Sequence, residues 1–339
     1  MDSLSQIVLG ASIAELTIGK KIGNRALLWG AIAGTIPDLD VLSQYFLDDF
    51  LALTYHRGFS HSLIFCLLFA PLLGLLLKKI HSRSGVTFRD GFVMSFWCFL
   101  THIALDCCTS WGTQVFWPFE PRLSTNSVFV VDPLYTLPFL ILLITLLFIN
   151  KNSAVRRKIN AVALTLSTAY LLLGMVVKLG VNDVFKNAFA KQEIEVINFE
   201  TRPTPLNTIL WTANAEVEDG YYLGFYSVLD SDEEIEFVYV PKRHELLSEI
   251  KNDANVKRVI RMTQGWYSVE QTDSCLVVND LRFGQPNGWN SEPDDFVFQY
   301  VLLPSDKGIH VVVPDPPKPG KDEVMPLLTI LYDRAMGNK

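Results

Sequence analysis

The chain is 339 residues long, 49% hydrophobic and formally −7 at neutral pH, with a mean hydropathy of +0.24 that is high for a soluble protein. Lys and Arg outnumber Asp and Glu by 14 to 10 over residues 1–182, but are outnumbered 26 to 15 over residues 183–339. A slightly basic apolar half followed by an acidic half separates membrane from solvent, and an acidic solvated domain excludes nucleic acid as a partner, because phosphate binding needs a Lys/Arg surplus.

Six segments are long and apolar enough to be read as membrane helices: residues 4–18, 26–47, 63–77, 92–107, 134–149 and 159–179. The first carries Gln6 and Glu15, and the second is interrupted by Pro37. The chain does not open on a basic n-region, so insertion is expected from the spans themselves. Lys20, Lys21 and Arg25 follow the first segment; Lys78, Lys79, Arg83 and Arg89 follow the third; Lys151, Arg156, Arg157 and Lys158 follow the fifth. Basic residues in alternate loops place those loops in the cytoplasm and the N-terminus and residues 183–339 outside it. Cys66, Cys98, Cys107, Cys108 and Cys275 form no Cys-x-x-Cys pair, which argues against a disulfide framework or a cysteine zinc site.

Beyond residue 182 the texture becomes that of an α+β soluble domain. Residues 208–217 and 221–229 read as a hairpin around Asp219-Gly220. Strands are also expected at 237–240, 274–279 and 296–302, short helices at 244–252 and 325–336, and a turn-rich connector at 314–320. The expected fold is therefore an α-helical polytopic membrane domain (1–182) followed by an extracytoplasmic α+β domain (183–339).

Ionisable side chains at membrane depth are costly and mark function by default. They occur here as Pro37-Asp38-Leu39-Asp40, as His56-Arg57-Gly58-Phe59-Ser60-His61, and as His102 with Asp106 in Thr101-His102-Ile103-Ala104-Leu105-Asp106. Asp2 and Gln6 stand at the start of the first helix. The topology maps every cluster to one membrane face. His102 and Asp106 are i,i+4 and share a helix face. Asp38 and Asp40 diverge on a regular helix, but Pro37 disturbs the turn. His56 and His61 suit a loop that folds back at Gly58. Three imidazoles and three carboxylates make a nitrogen and oxygen ligand set for Zn²⁺, with Mn²⁺ or Fe as alternatives. Asp38, Asp40, His56, His61, His102 and Asp106 are the expected ligands. One of the aspartates, Asp38 or Asp106 among them, is an alternative general base, and Arg57 is a candidate clamp for an anionic substrate group. The bland reading is a set of satisfied interhelical hydrogen bonds. Trp111, Phe116, Trp117 and Phe119 fit an interfacial aromatic belt.

This ordered set of motifs, with Met1-Asp2-Ser3-Leu4 before it, resembles the bacterial inner-membrane metal-dependent hydrolases of the YdjM-like, LexA-regulated type over roughly the first 150 residues. The resemblance implies hydrolase activity at the inner membrane. A looser likeness to zinc-dependent phospholipase C and related nucleases points to phosphoester or lipid-type substrates, small-molecule or membrane-resident. The family pattern commonly has His where this chain has Gln6, which bears on the number of ions held. Rival functions are a transporter or ion-binding membrane protein, and a non-catalytic scaffold in which a metal clamps helices together.

Overall fold

The computed structural model describes residues 1–272, 275–285, 296–306, 308–315 and 320–338. They form two compact units, one of Met1–Phe46, Tyr55–Val177 and Pro205–Asn207, the other of Leu47–Thr54, Lys178–Thr204 and Thr208–Lys339.

The first unit is helical: α1 (Ser3–Ile22), α2 (Asn24–Thr35), a 3₁₀ segment (Pro37–Tyr45), a short 3₁₀ turn (Phe59–His61), α4 (Leu63–Ile80), α5 (Phe88–Asp106), α6 (Pro133–Leu146) and the first part of α7 (Ala154–Lys191). A short α3 (Asp49–Tyr55) precedes the turn, mostly within the second unit. Helices stand at all six expected positions. Among the described residues, however, only α4 and α7 are by themselves long and apolar enough to cross a membrane. α2 and Pro37–Tyr45, bent by 52°, make a third span if taken together. At 14 residues, α6 reaches only about 21 Å, short of a hydrocarbon core of about 30 Å.

Glu15, which weakens the first segment as a span, is buried against Arg156 of α7. Arg156 Nε and Nη2 donate to the two Glu15 carboxylate oxygens at 2.7 and 2.6 Å. Arg156 Nη1 donates to Asn24 Oδ1 and to the carbonyls of Leu146 and Ile149. A bidentate pair with its remaining protons satisfied is the form in which a buried charge pair is tolerated.

Helices α1 and α2 cross closely because small residues face one another. A Cβ on Gly30 would lie 2.2 Å from Gly10 O and 2.5 Å from Ala14 Cβ, and one on Gly34 would lie 2.4 Å from Gln6 O. This Gly-x-x-x-Gly face lets backbones pack where a side chain would hold them apart. Local signals fix the helix starts. Asp2 accepts from the Leu4 and Ser5 amides, Ser62 from Phe65, and Asp132 from Leu134 and Tyr135. Thr87 and Asp90 form a capping box at α5.

The second unit is α+β. Strands β1 (Asn198–Pro203), β2 (Leu210–Glu216), β3 (Gly220–Ser227) and β4 (Phe237–Pro241) form one antiparallel sheet in the order β1-β2-β3-β4. Strands β5 (Tyr267–Gln271), β6 (Leu276–Asp280), β7 (Gln299–Ser305) and β8 (Gly308–Val312) form a second, in the order β5-β6-β7-β8. The Asp219-Gly220 hairpin forms as expected, Glu216 pairing with Tyr221. β1, β5, β8 and helix α8 (Ala254–Met262) are additions to the expected elements, and α9 (Lys321–Ala335) covers the expected C-terminal helix. The expected helix at 244–252 reduces to a 3₁₀ turn at His244–Leu247. Ser274 of one expected strand and residues 316–319 of the expected connector lie outside the described residues.

Filling the α1–α2 crossing with Gly34→Val is expected to destabilise the helical unit by about 1–3 kcal/mol through overpacking. Thermal unfolding of the detergent-solubilised chain measures it; an unchanged midpoint would contradict the close crossing.

Candidate metal centre

α5 presents His102 and Asp106 one turn apart. The 3₁₀ segment after α2 presents Asp38, and the Phe59–His61 turn presents His61. One ligand atom from each of these four residues lies within 4.8 Å of the other three. His61 Nε2 stands 3.1 Å from His102 Nε2, 3.3 Å from Asp38 Oδ1 and 3.2 Å from Asp106 Oδ2. His102 Nε2 stands 3.4 Å from each of the same two carboxylate oxygens.

The outer nitrogens of both rings are already committed. His102 Nδ1 donates to the Gly34 carbonyl at 2.7 Å. His61 Nδ1 lies 2.9 Å from Ser60 Oγ, whose own proton goes to Asp40 Oδ2 at 2.7 Å. Assigned from these partners, each neutral ring carries its proton on Nδ1 and turns the Nε2 lone pair inward. Two lone pairs and two carboxylates then converge, and whatever fills the centre must bring positive charge. A proton on His61 Nε2 is one way to supply it: burial opposes that charge, but hydrogen bonds to Asp106, Asp38 and Asp40 outweigh it and raise the pKa to about 10, and a bound ion would take that proton's place. Asp106 Oδ2 accepts no hydrogen bond of good geometry among the described residues.

A divalent cation meets both demands. Four ligands at about 2.0–2.1 Å from a tetrahedral zinc ion are separated from one another by about 3.3–3.4 Å. Five of the six separations, 3.1 to 3.4 Å, match that spacing, and the sixth, between the Asp38 and Asp106 oxygens, is within 4.8 Å.

Asp40 and His56 are not brought into this group of four. His56 Nδ1 donates to Asp40 Oδ1 at 2.9 Å, and the Arg57 amide to Asp40 Oδ2 at 3.0 Å. Asp38 and Asp40 do diverge, yet both reach His61: Asp38 faces its Nε2, and Asp40 lies 3.3 Å from its Nδ1. Asp40 therefore stands one layer out, fixing the orientation and proton of an inner imidazole, as carboxylates commonly do for metal-bound histidines.

Arg57 has a positive φ of 57° and is buried, a backbone strain of the kind that gathers at working sites. Its Nη1 donates to Thr109 Oγ1 at 2.9 Å and its Nη2 lies 3.3 Å from Asp106 Oδ1, while its Nε has no hydrogen-bond partner among the described residues. Asp106 Oδ1 also accepts from Gln6 Nε2 at 3.0 Å and from the Met1 amine. Gln6 thus supports Asp106 rather than joining the four. Asp2 caps α1, and Asp132 caps α6 while accepting from Tyr170. Arg122 braces the loop by donating to the His56 carbonyl. Ser60, Thr109 and the Gly34 carbonyl are partners that sequence reasoning did not single out; only Ser60, inside the His-Arg-Gly-Phe-Ser-His motif, carried a signal. His81 accepts from Trp29 Nε1 at 2.7 Å.

Removing the Asp40 carboxylate with Asp40→Ala leaves all four inner ligands in place. It is expected to weaken metal affinity by about 10–100-fold, the usual cost of losing an orienting partner. Competition against a chromophoric chelator reads this; unaltered affinity would place Asp40 outside the centre.

The profile of the YdjM inner membrane protein family matches residues 1–181. A similar protein, Inner membrane protein YbcI of Escherichia coli (strain K12), is 33% identical over 120 residues. Those residues are 32% of this chain and 65% of that relative, so the chain spans just under two thirds of the relative's length. No solved structure matches. The family match covers more than half of the chain and contains all four converging residues, and the chain belongs to the YdjM inner membrane protein family.

Proposed function

We propose that the helical unit is a membrane-bound metal-dependent hydrolase acting on a phosphoester or lipid-type substrate at the outer interface of the bacterial inner membrane. The observation that carries this reading is the meeting of Asp38, His61, His102 and Asp106 around one point with both histidine tautomers fixed from behind. These four residues would hold the cation, zinc first, with manganese or iron as alternatives.

When bound, such an ion supplies a water with pKa lowered to about 7 and stabilises negative charge developing on the substrate. The chain's own residues do the rest. Asp106 is held by Arg57, Gln6 and the Met1 amine through Oδ1, which keeps Oδ2 turned inward. Asp38 is the one inner residue whose side chain reaches solvent, at 19% exposure against 0% for the other three. Water and substrate therefore meet the centre on the Asp38 side, where Asp38 is placed to take a proton from the attacking water. The Arg57 guanidinium, buried beside Asp106, offers its Nε to an anionic oxygen. In the hydrolysis of a phosphoester, the water oxygen bonds to phosphorus, and the ester oxygen leaves with a proton. His56, hydrogen-bonded to Asp40 and partly exposed, stands at the same opening.

The topology proposed with this reading is multi-pass, the basic loops being cytoplasmic and residues 183–339 outside the cytoplasm. It rests on alternation of Lys and Arg between successive helices. A second reading is a non-catalytic metal clamp, favoured by the complete burial of three of the four side chains and by a ligand set that needs no water to close it.

Metal analysis of the purified chain, with hydrolysis measured over a panel of phosphoesters and phospholipids, tests these readings. About one ion per chain is expected, with His102→Ala losing both ion and turnover. Undiminished turnover in His102→Ala would overturn the assignment, and a retained ion with no turnover on any substrate would favour the clamp.

A further inference from the structure

Four arginines are buried among the described residues, and two of them show how this chain closes the flat edge that Nε and Nη2 share. Arg156 gives that edge to Glu15 at 2.7 and 2.6 Å, and Arg282 gives it to Asp280 at 3.0 and 2.7 Å. In each case a carboxylate lies against the guanidinium in two parallel hydrogen bonds. Arg57 turns to the metal centre. Arg202, on β1 of the α+β unit, is different. It is 4% exposed and its Nη1 donates to the Leu281 carbonyl at 3.2 Å, but its Nε and Nη2 have no hydrogen-bond partner among the described residues. The edge that takes a carboxylate in Arg156 and Arg282 is open in Arg202. The Glu200 carboxylate, two residues back on β1, comes only within 3.9 Å of Nη2, beyond hydrogen-bond reach.

The charges around this edge do not balance. Lys178 of α7 and Arg282 are its cationic neighbours, and Glu200 and Asp280 its anionic ones. Asp280 is already held by both nitrogens of the Arg282 edge and by the Arg282 amide. Three cations against two carboxylates leave one positive charge over, in a place where an uncompensated charge is costly. Burial pushes the Arg202 guanidinium down to about 10, and a bound anion would oppose that shift. One monocarboxylate completes the balance, whereas a phosphate dianion overshoots it. The Arg202 side chain is 5% exposed and that of Glu200 35%, so the way in from solvent passes Glu200 and admits only a narrow group.

We propose that Arg202 anchors a second binding site, within the α+β unit, that takes the carboxylate of a small acid in two parallel hydrogen bonds from Nε and Nη2, with Lys178 and Arg282 as flanking charges. The Leu281 carbonyl, which accepts from both Arg202 Nη1 and Asn214 Nδ2, holds the guanidinium from its other end. The site stands independently of the metal reading, because none of its residues belongs to the helical unit.

The test uses the full chain in detergent at fixed ionic strength, with saturation-transfer NMR on acetate as the probe and inorganic phosphate as competitor. Acetate is expected to show saturable transfer, and phosphate to displace it only at concentrations about tenfold higher than acetate itself needs. Arg202→Lys keeps the charge but has no planar fork, and is expected to weaken acetate binding by about tenfold. Glu200→Gln leaves Arg202 in place and removes the negative charge beside its edge, so acetate is expected to bind about tenfold more tightly. His102→Ala, in the other unit, is expected to leave acetate binding unaltered. No saturable transfer in the unmodified chain overturns the proposal, as does transfer that appears only in Glu200→Gln, since Glu200 would then close the edge itself. Unweakened binding in Arg202→Lys, or phosphate displacing acetate at equal or lower concentration, would also overturn it. Loss of transfer in His102→Ala would place the acetate at the metal centre and contradict a second site.

Discussion

Two imidazole nitrogens face each other 3.1 Å apart inside a helical bundle, with a carboxylate oxygen on either side of the pair. Arg57 and the Met1 amine offset part of that electron density through Asp106 Oδ1. A cation held by Asp38, His61, His102 and Asp106 would offset the remainder at their centre, and the packing of the helical unit makes that meeting possible. Burying charged groups is costly unless they are paired or coordinate a metal. The pairing here extends outward in layers, through Asp40 and Ser60 behind His61, the Gly34 carbonyl behind His102, and three donors behind Asp106.

The backbone contributes as much as the side chains. Gly34 is at once a contact point of the α1–α2 crossing and the acceptor for His102. Its missing side chain admits the Gln6 backbone of α1, and Gln6 in turn reaches Asp106. A single helix crossing therefore positions the acceptor behind one inner residue and a donor behind another. Pro37 begins the 3₁₀ segment that follows α2 and carries Asp38 and Asp40 to opposite nitrogens of His61. The buried Glu15–Arg156 pair ties α1 to α7 away from the centre, and lets a helix with an acidic residue in its middle pack within the unit.

Much of the centre was legible in the sequence because its residues are ionisable where lipid penalises charge, and because the i,i+4 spacing of His102 and Asp106 fixes a common face. The division of labour was not. His56 and His61 occur in one motif, and Asp38 and Asp40 in another, with nothing local to say which of each pair turns inward. That choice is made by the 3₁₀ turn and by Arg57 with its positive φ. The Gly34 carbonyl was invisible for a simpler reason: a backbone acceptor leaves no trace in residue type. Glu15 read as a flaw in a membrane segment, since its partner lies 141 positions away. In the second unit the Asp219-Gly220 hairpin announced itself through turn chemistry. Strand β1, Asn-Phe-Glu-Thr-Arg-Pro, lacks the alternation that marks a half-buried strand, and its last three residues are buried in succession. Helix α8 did carry a readable signal, with Val256, Val259 and Met262 buried at three-residue intervals.

Metal K-edge X-ray absorption on the zinc-loaded full chain bears most directly on the central claim. Two imidazole nitrogens and carboxylate oxygens at about 2.0–2.1 Å, with the outer-ring scattering that bound histidine produces, are the expected shell. A sulfur shell at about 2.3 Å, or an oxygen-only shell with no imidazole signature, would contradict the account by placing the ion away from His61 and His102.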